Sequence, residues 1–187
     1  PLPEELETDA TGFLLGGSNV SDDLFMYLTR QLGPADGIQP NTGYRLSYTI
    51  TFASNAPTGC VGIGGAPGES VYLKAGAAGE EPEPVLDPQD NHFRLNVDVG
   101  QQANGGPAAS VVGDIANGIP CEDVPDLADA PYVSLTRTHT HPDVVMSDAD
   151  GNLWLIVGTD SGFEGRTEVY YQAIDVRLQP VFSLRLK

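Results

Sequence analysis

Along Tyr44-Arg-Leu-Ser-Tyr-Thr-Ile-Thr-Phe52, apolar and polar residues alternate without a break. Successive side chains of a strand point to opposite faces. Tyr44, Leu46, Tyr48, Ile50 and Phe52 therefore share one side, and Arg45, Ser47, Thr49 and Thr51 the other. That pattern predicts a strand with one face against a core. Phe93, Leu95, Val97 and Val99 alternate in the same way with Arg94, Asn96 and Asp98. Further strands are predicted over residues 70–75, 132–139, 153–159, 167–178 and 181–186. Leu24-Phe-Met-Tyr-Leu28 fits two readings: Ser21 could cap a helix there, but Gly33-Pro34 turns the chain soon afterwards, which favours a strand buried on both faces.

Helical periodicity is nearly absent. Turn signals separate the strands at residues 40–43, 150–152 and 162–165. Two longer loops are predicted, one rich in Pro and Glu over residues 76–91 and one rich in Gly, Gln and Asn over 100–107. About nine short strands with such punctuation predict an all-β, antiparallel sandwich of jelly-roll type. The 187 residues read as one domain, residues 1–187, with no repeat and no dividing linker. No apolar run is long enough to cross a bilayer as a helix. The start at Pro1-Leu2-Pro3-Glu4 reads as a mature or trimmed end.

Acidic residues number 26 against 9 basic ones, a net charge of −17. Such a field repels phosphate backbones and anionic membranes, and it attracts cations, calcium among them. It equally suits solubility in a salty or extracellular medium. Cys60 and Cys121 lie too far apart for a CxxC motif. A single bridge, two buried thiols and two unrelated thiols all fit that spacing. Sparse lysine and abundant Gly, Pro, Asn and Thr suggest export, where a bridge persists. The expectation is a Cys60–Cys121 disulfide, which would stabilise the fold by roughly 3–4 kcal/mol.

Gly37-Ile-Gln-Pro-Asn-Thr-Gly-Tyr-Arg-Leu-Ser-Tyr48 resembles the loop and first strand of galactose-binding-like jelly rolls, a fold that includes many carbohydrate-binding modules. Residues 153–160 and 167–176 resemble the closing strand pair of that fold. More narrowly, residues 21–26, 62–70 and 158–165 are similar to blocks of a bacterial exported, lipoprotein-like family without an assigned activity. The resemblance implies a secreted, periplasmic or cell-surface location. Such modules often hold a structural calcium through an Asp in the last core strand. Here Ile174 stands at the matching position and Asp175 faces the other way.

The stretch Thr138-His-Thr-His-Pro142, followed by Ser147 and Asp150, is similar to the zinc motif of JAMM hydrolases, in which two His and an Asp bind the metal. Four residues separate Pro142 from Ser147, fewer than in that family, and the β-rich context differs. Leu135, Arg137, His139 and His141 instead share one strand face, with Pro142 ending the strand at an edge. His139 and His141 remain a candidate metal pair. Asp148-Ala-Asp-Gly-Asn152 hints at a calcium loop, but its Gly comes too early for an EF-hand and a turn accounts for it. The glycines between Gly62 and Gly68 do not form a dinucleotide fingerprint, because Pro67 has no amide hydrogen for a phosphate. They predict a bulge or a close backbone approach.

Two crowded acidic places, Asp22-Asp23 and Asp160 with Glu164, are the candidate calcium ligands. Trp154 stands in a doubly apolar strand, so Tyr72, Tyr170 and Tyr171 are the candidate aromatic platforms. The expected function is a non-catalytic extracellular binding module for a glycan or another polar ligand. A surface-protein partner or purely structural domain is the alternative, and a metal-dependent hydrolase built on His139 and His141 is third.

Overall fold

The alternation seen in the sequence closes into two antiparallel sheets packed face to face. The computed structural model describes residues 1–21, 23–89 and 91–181. In chain order its strands are β1 (Phe13–Ser18), β2 (Leu24–Leu32), β3 (Gly43–Ser54), β4 (Val71–Ala78), β5 (Pro84–Asp87) and β6 (His92–Leu95). They continue with β7 (Ser110–Asp114), β8 (Val133–Thr140), β9 (Val145–Met146), β10 (Leu153–Ser161) and β11 (Arg166–Val181). Sheet one runs β1-β11-β3-β8, with β9 also on β3; sheet two runs β2-β10-β4-β7; β5 and β6 form a separate hairpin. With the hairpin and β9 set aside, the remaining strands in chain order run first-eighth-third-sixth in one sheet and second-seventh-fourth-fifth in the other. That order is the double Greek key of a jelly roll.

The inner faces interdigitate. Leu46, Tyr48, Ile50 and Phe52 of β3 meet Val71, Leu73, Ala75 and Ala77 of β4, with Leu153 and Val157 of β10 and Val169 of β11. Tyr48 donates its hydroxyl to the Gly76 carbonyl across the sandwich at 2.5 Å, and burial raises its pKa. A bulge between Tyr171 and Ala173 inserts Gln172 into β11. The extra residue resets the alternation. Val169 and Tyr171 before it, and Ile174, Val176 and Leu178 after it, all pack on the core. Asp175 is exposed on the outer face.

Sheet two is covered on its outer face as well. Residues 96–109 and the β5–β6 hairpin lie over it, burying Val97, Val99, Ala108 and Ala109 against Ala78 and Ile156, with Phe25, Tyr27 and Leu95 packed alongside. Two expectations are corrected here. The strand predicted through Phe93–Val99 ends at Leu95, since only β5 is there to pair with it. The loop predicted over residues 76–91 contains the end of β4 and all of β5. Of the last predicted strand only Val181 is described, as the end of β11; the rest lies outside the described residues.

Cys60 and Cys121 are bonded, with Cα atoms 5.1 Å apart. The bridge ties the loop after β3 to the segment before β8. Among the described residues no helix is long and apolar enough to cross a membrane.

Candidate binding cleft

β2 carries aromatic residues at alternate positions on the outer face of sheet two. Phe25 and Tyr27 stand two residues apart there, with ring planes 12° from parallel and centroids 5.6 Å apart. The Tyr27 hydroxyl donates to the Pro82 carbonyl at 3.0 Å, which fixes the ring. Burial first, and then the charges of Glu83 and Glu81, raise its pKa.

The facing wall is the hairpin. Register pairs Leu86 with Phe93 and Pro84 with Leu95, so these four share one hairpin face. Leu95 packs against the cluster that holds Phe25 and Tyr27, while Phe93 is 70% exposed. A cleft of about 600 Å³ lies between the walls, with Ser21 and Asp23 also lining it. Asp98 to Gln101 line it from the covering loop. A cleft of this size, apolar-walled with a few polar groups, has the character of a small-molecule site.

Asp160 reaches this cleft from β10. Opposite it in the β10–β4 register is Tyr72, and Gly158 faces Lys74, so Asp160 and Lys74 are diagonal neighbours on the outer face. Both side chains are buried, at 1% and 0% exposure. Lys74 Nζ donates to Asp160 Oδ2 at 2.6 Å, to Val99 O at 2.9 Å and to Asn104 O at 3.0 Å. Asp160 Oδ2 also accepts from the Gln102 amide at 2.8 Å. This pair pins residues 99–104 over the sheet. Asp160 Oδ1 has no hydrogen-bond partner among the described residues. The turn it holds demands glycine at Gly100, where φ is +70° and a Cβ would strike the Asn104 carbonyl.

The residues expected from sequence are dispersed. Tyr171 is a core residue, 4% exposed, with its hydroxyl enclosed; the inward face of β11 places it there, so it is not a platform. Tyr170 packs edge-on against Tyr132, centroids 5.1 Å apart, on the outside of sheet one. Tyr72 belongs to β4 in the other sheet. The three therefore do not form one surface. Asp160 is not in an acidic loop with Glu164. Its counterion is Lys74, which removes the charge crowding that would call for calcium. Glu164 sits on the turn after β10, its amide donating to Ile63 O at 2.8 Å. Asp22 lies outside the described residues, and Asp23 is at the cleft.

His139 and His141 converge on a hydroxyl. Ser110 Oγ is 2.7 Å from His139 Nε2 and 2.8 Å from His141 Nδ1, and His141 Nε2 lies 3.0 Å from the Pro107 carbonyl. Among the described residues no three metal-ligating side chains gather at one point. Asp148 closes a turn: Oδ1 accepts from the Asp150 and Asn152 amides and Oδ2 from the Asn152 side chain. Those bonds, the Asn152 amide first, lower its pKa. The glycine-rich loop makes close approaches, with Gly64 against the Gly162 carbonyl.

Sequence reasoning missed Phe25, Tyr27 and Phe93 as cleft residues, and Lys74 as the buried partner of Asp160. One signal was present. A lysine inside the apolar run Val71-Tyr-Leu-Lys-Ala-Gly-Ala-Ala78 must be paired to be buried. In comparisons with known proteins, no protein-family model, no curated protein and no solved structure matches the chain.

Proposed function

We propose that this chain is a non-catalytic extracellular binding module whose cleft between β2 and the β5–β6 hairpin takes a glycan or a similar polar ligand. The observation that carries this reading is the pair of aromatic walls: Phe25 and Tyr27 on one side, the exposed Phe93 on the other. Ligands with an apolar face and a polar edge are held by such walls. The disulfide and the charge of −17 support an oxidising, exported location. A broader depression on the outside of sheet one is lined mainly by Ser47, Thr49, Thr138, Thr140, Asp175 and Arg177. Its one aromatic, Tyr48, points into the core, so it offers no platform.

The test is a glycan array followed by calorimetry on the hits, with wild type, Phe93→Ala and Phe25→Ala. The proposal expects selective binding that each substitution weakens by about tenfold, the worth of one aromatic contact. Absence of binding across the array, or binding indifferent to both substitutions, refutes it.

A further inference from the structure

We infer that the cleft selects an uncharged, hydroxyl-bearing ring, and that one of the ligand's hydroxyls donates to Asp160 Oδ1. This rests on the cleft being the binding site.

The donor and acceptor inventory decides the class. An ammonium has three protons and no acceptor, and all three of Lys74's are directed at Asp160, Val99 and Asn104. The buried cation therefore has nothing left for an anionic ligand. Arg94, at the hairpin wall, bonds Asp87 at 2.9 Å. Carboxylates surround the site: Asp23 and Asp98 line it, and Glu81 and Glu83 act on Tyr27 from behind. Arg94 and His92 also line the cleft, but Arg94 is already bonded to Asp87, so a carboxylate or sulfate on the ligand would meet an excess of negative groups there.

At the Asp160 position a cation is disfavoured for a different reason. Asp160 is the buried carboxylate of the floor, and the Lys74 ammonium 2.6 Å away already compensates its charge. A second positive group there would sit against the first. A neutral O–H avoids both penalties. It supplies the hydrogen bond that Oδ1 lacks, and a buried acceptor without a partner is costly enough that satisfying it gives binding energy and orientation together. The parallel rings of Phe25 and Tyr27 accept the apolar face of the same ring.

The experiment is calorimetry on the full chain with neutral hexose oligosaccharides and with their uronic-acid and amino-sugar counterparts. The neutral series should bind at least about tenfold more tightly than either charged series. Asp160→Asn should weaken neutral binding by roughly ten- to a hundredfold, as expected for a bond to a charged group. A melting curve establishes that this variant is folded. Should it not fold, the charge series on wild type still decides. Equal or tighter binding of uronates or amino sugars overturns the inference, as does a folded Asp160→Asn with undiminished affinity. Charge-blind binding that Phe93→Ala still weakens overturns this inference alone. Failure of every sugar to bind, with Phe93→Ala without effect, overturns the cleft itself and this inference with it.

Discussion

Lys74 has no exposed surface, and only its three acceptors make that position tolerable. Desolvating an ammonium costs several kcal/mol, offset here by Asp160 and two carbonyls. Removing one partner should therefore hurt more than removing both. Lys74→Met leaves the buried carboxylate without its counterion and should cost about 3–5 kcal/mol in urea unfolding. The double variant Lys74→Met, Asp160→Leu should recover much of that loss. A single variant as stable as wild type would mean the pair is solvated. Tyr171 is the neutral counterpart: burial raises its phenol pKa above the ordinary 10.

β7 and β8 are edge strands of opposite sheets, and a polar seam joins them. The Pro107 carbonyl can only accept, so His141 Nε2 donates to it. Ser110 Oγ is shared among His141 Nδ1, His139 Nε2 and the Ala75 carbonyl. Arg137 and Asp114, 3.9 Å apart, add a loose ion pair to the seam. Burial, and then the neighbouring His141, lower the His139 pKa from its ordinary 6.5. The unfolded chain therefore binds the proton more readily than the folded one. This contribution to stability is complete above the unfolded value and is lost as pH falls from about 6.5 toward the depressed folded value. Urea unfolding between about pH 7.5 and about pH 5 should show that decline, and His139→Gln should flatten it. Identical profiles for the two proteins would contradict the assignment. On the outer face of sheet two, Leu95 is the cleft-facing apolar residue of the hairpin that packs against that cluster. Phe93 stays 70% exposed, so the fold does not rely on burying it.

Across the whole molecule the Cys60–Cys121 bridge closes a loop with a sequence separation of 61 that spans β4 to β7. Constraining such a loop in the unfolded state is worth about 4 kcal/mol. Replacing both cysteines with alanine should lower stability by that order, read as a lower denaturant midpoint with a steeper slope, because the unbridged unfolded chain is more expanded. No shift would mean the unfolded chain is held by other contacts. The two sheets carry different tasks. Sheet one keeps a polar, Thr-rich outer face in water, whereas sheet two has its outer face covered by the segment between β4 and β7. The cleft exists because that covering segment leaves the β2 side partly open.

Fold class was legible in the chain because strand alternation is local: Tyr44 to Phe52 declares its two faces without reference to any other residue. Even Ile174 and Asp175 were placed correctly on opposite faces. The limit appears where a side chain's neighbour is far away in sequence. Phe93 looks like a core residue by its alternation with Arg94, yet its hairpin pairs only with β5 and leaves the ring exposed. Asp160 looks like one of two loop carboxylates, yet strand register sets it diagonal to Lys74, 86 residues earlier. His139 and His141 look like metal ligands until Ser110 arrives from the opposing sheet. Alternation follows from backbone geometry residue by residue, so the sequence alone carries it. Charge compensation and cleft walls depend on which strands become neighbours, and only tertiary packing decides that.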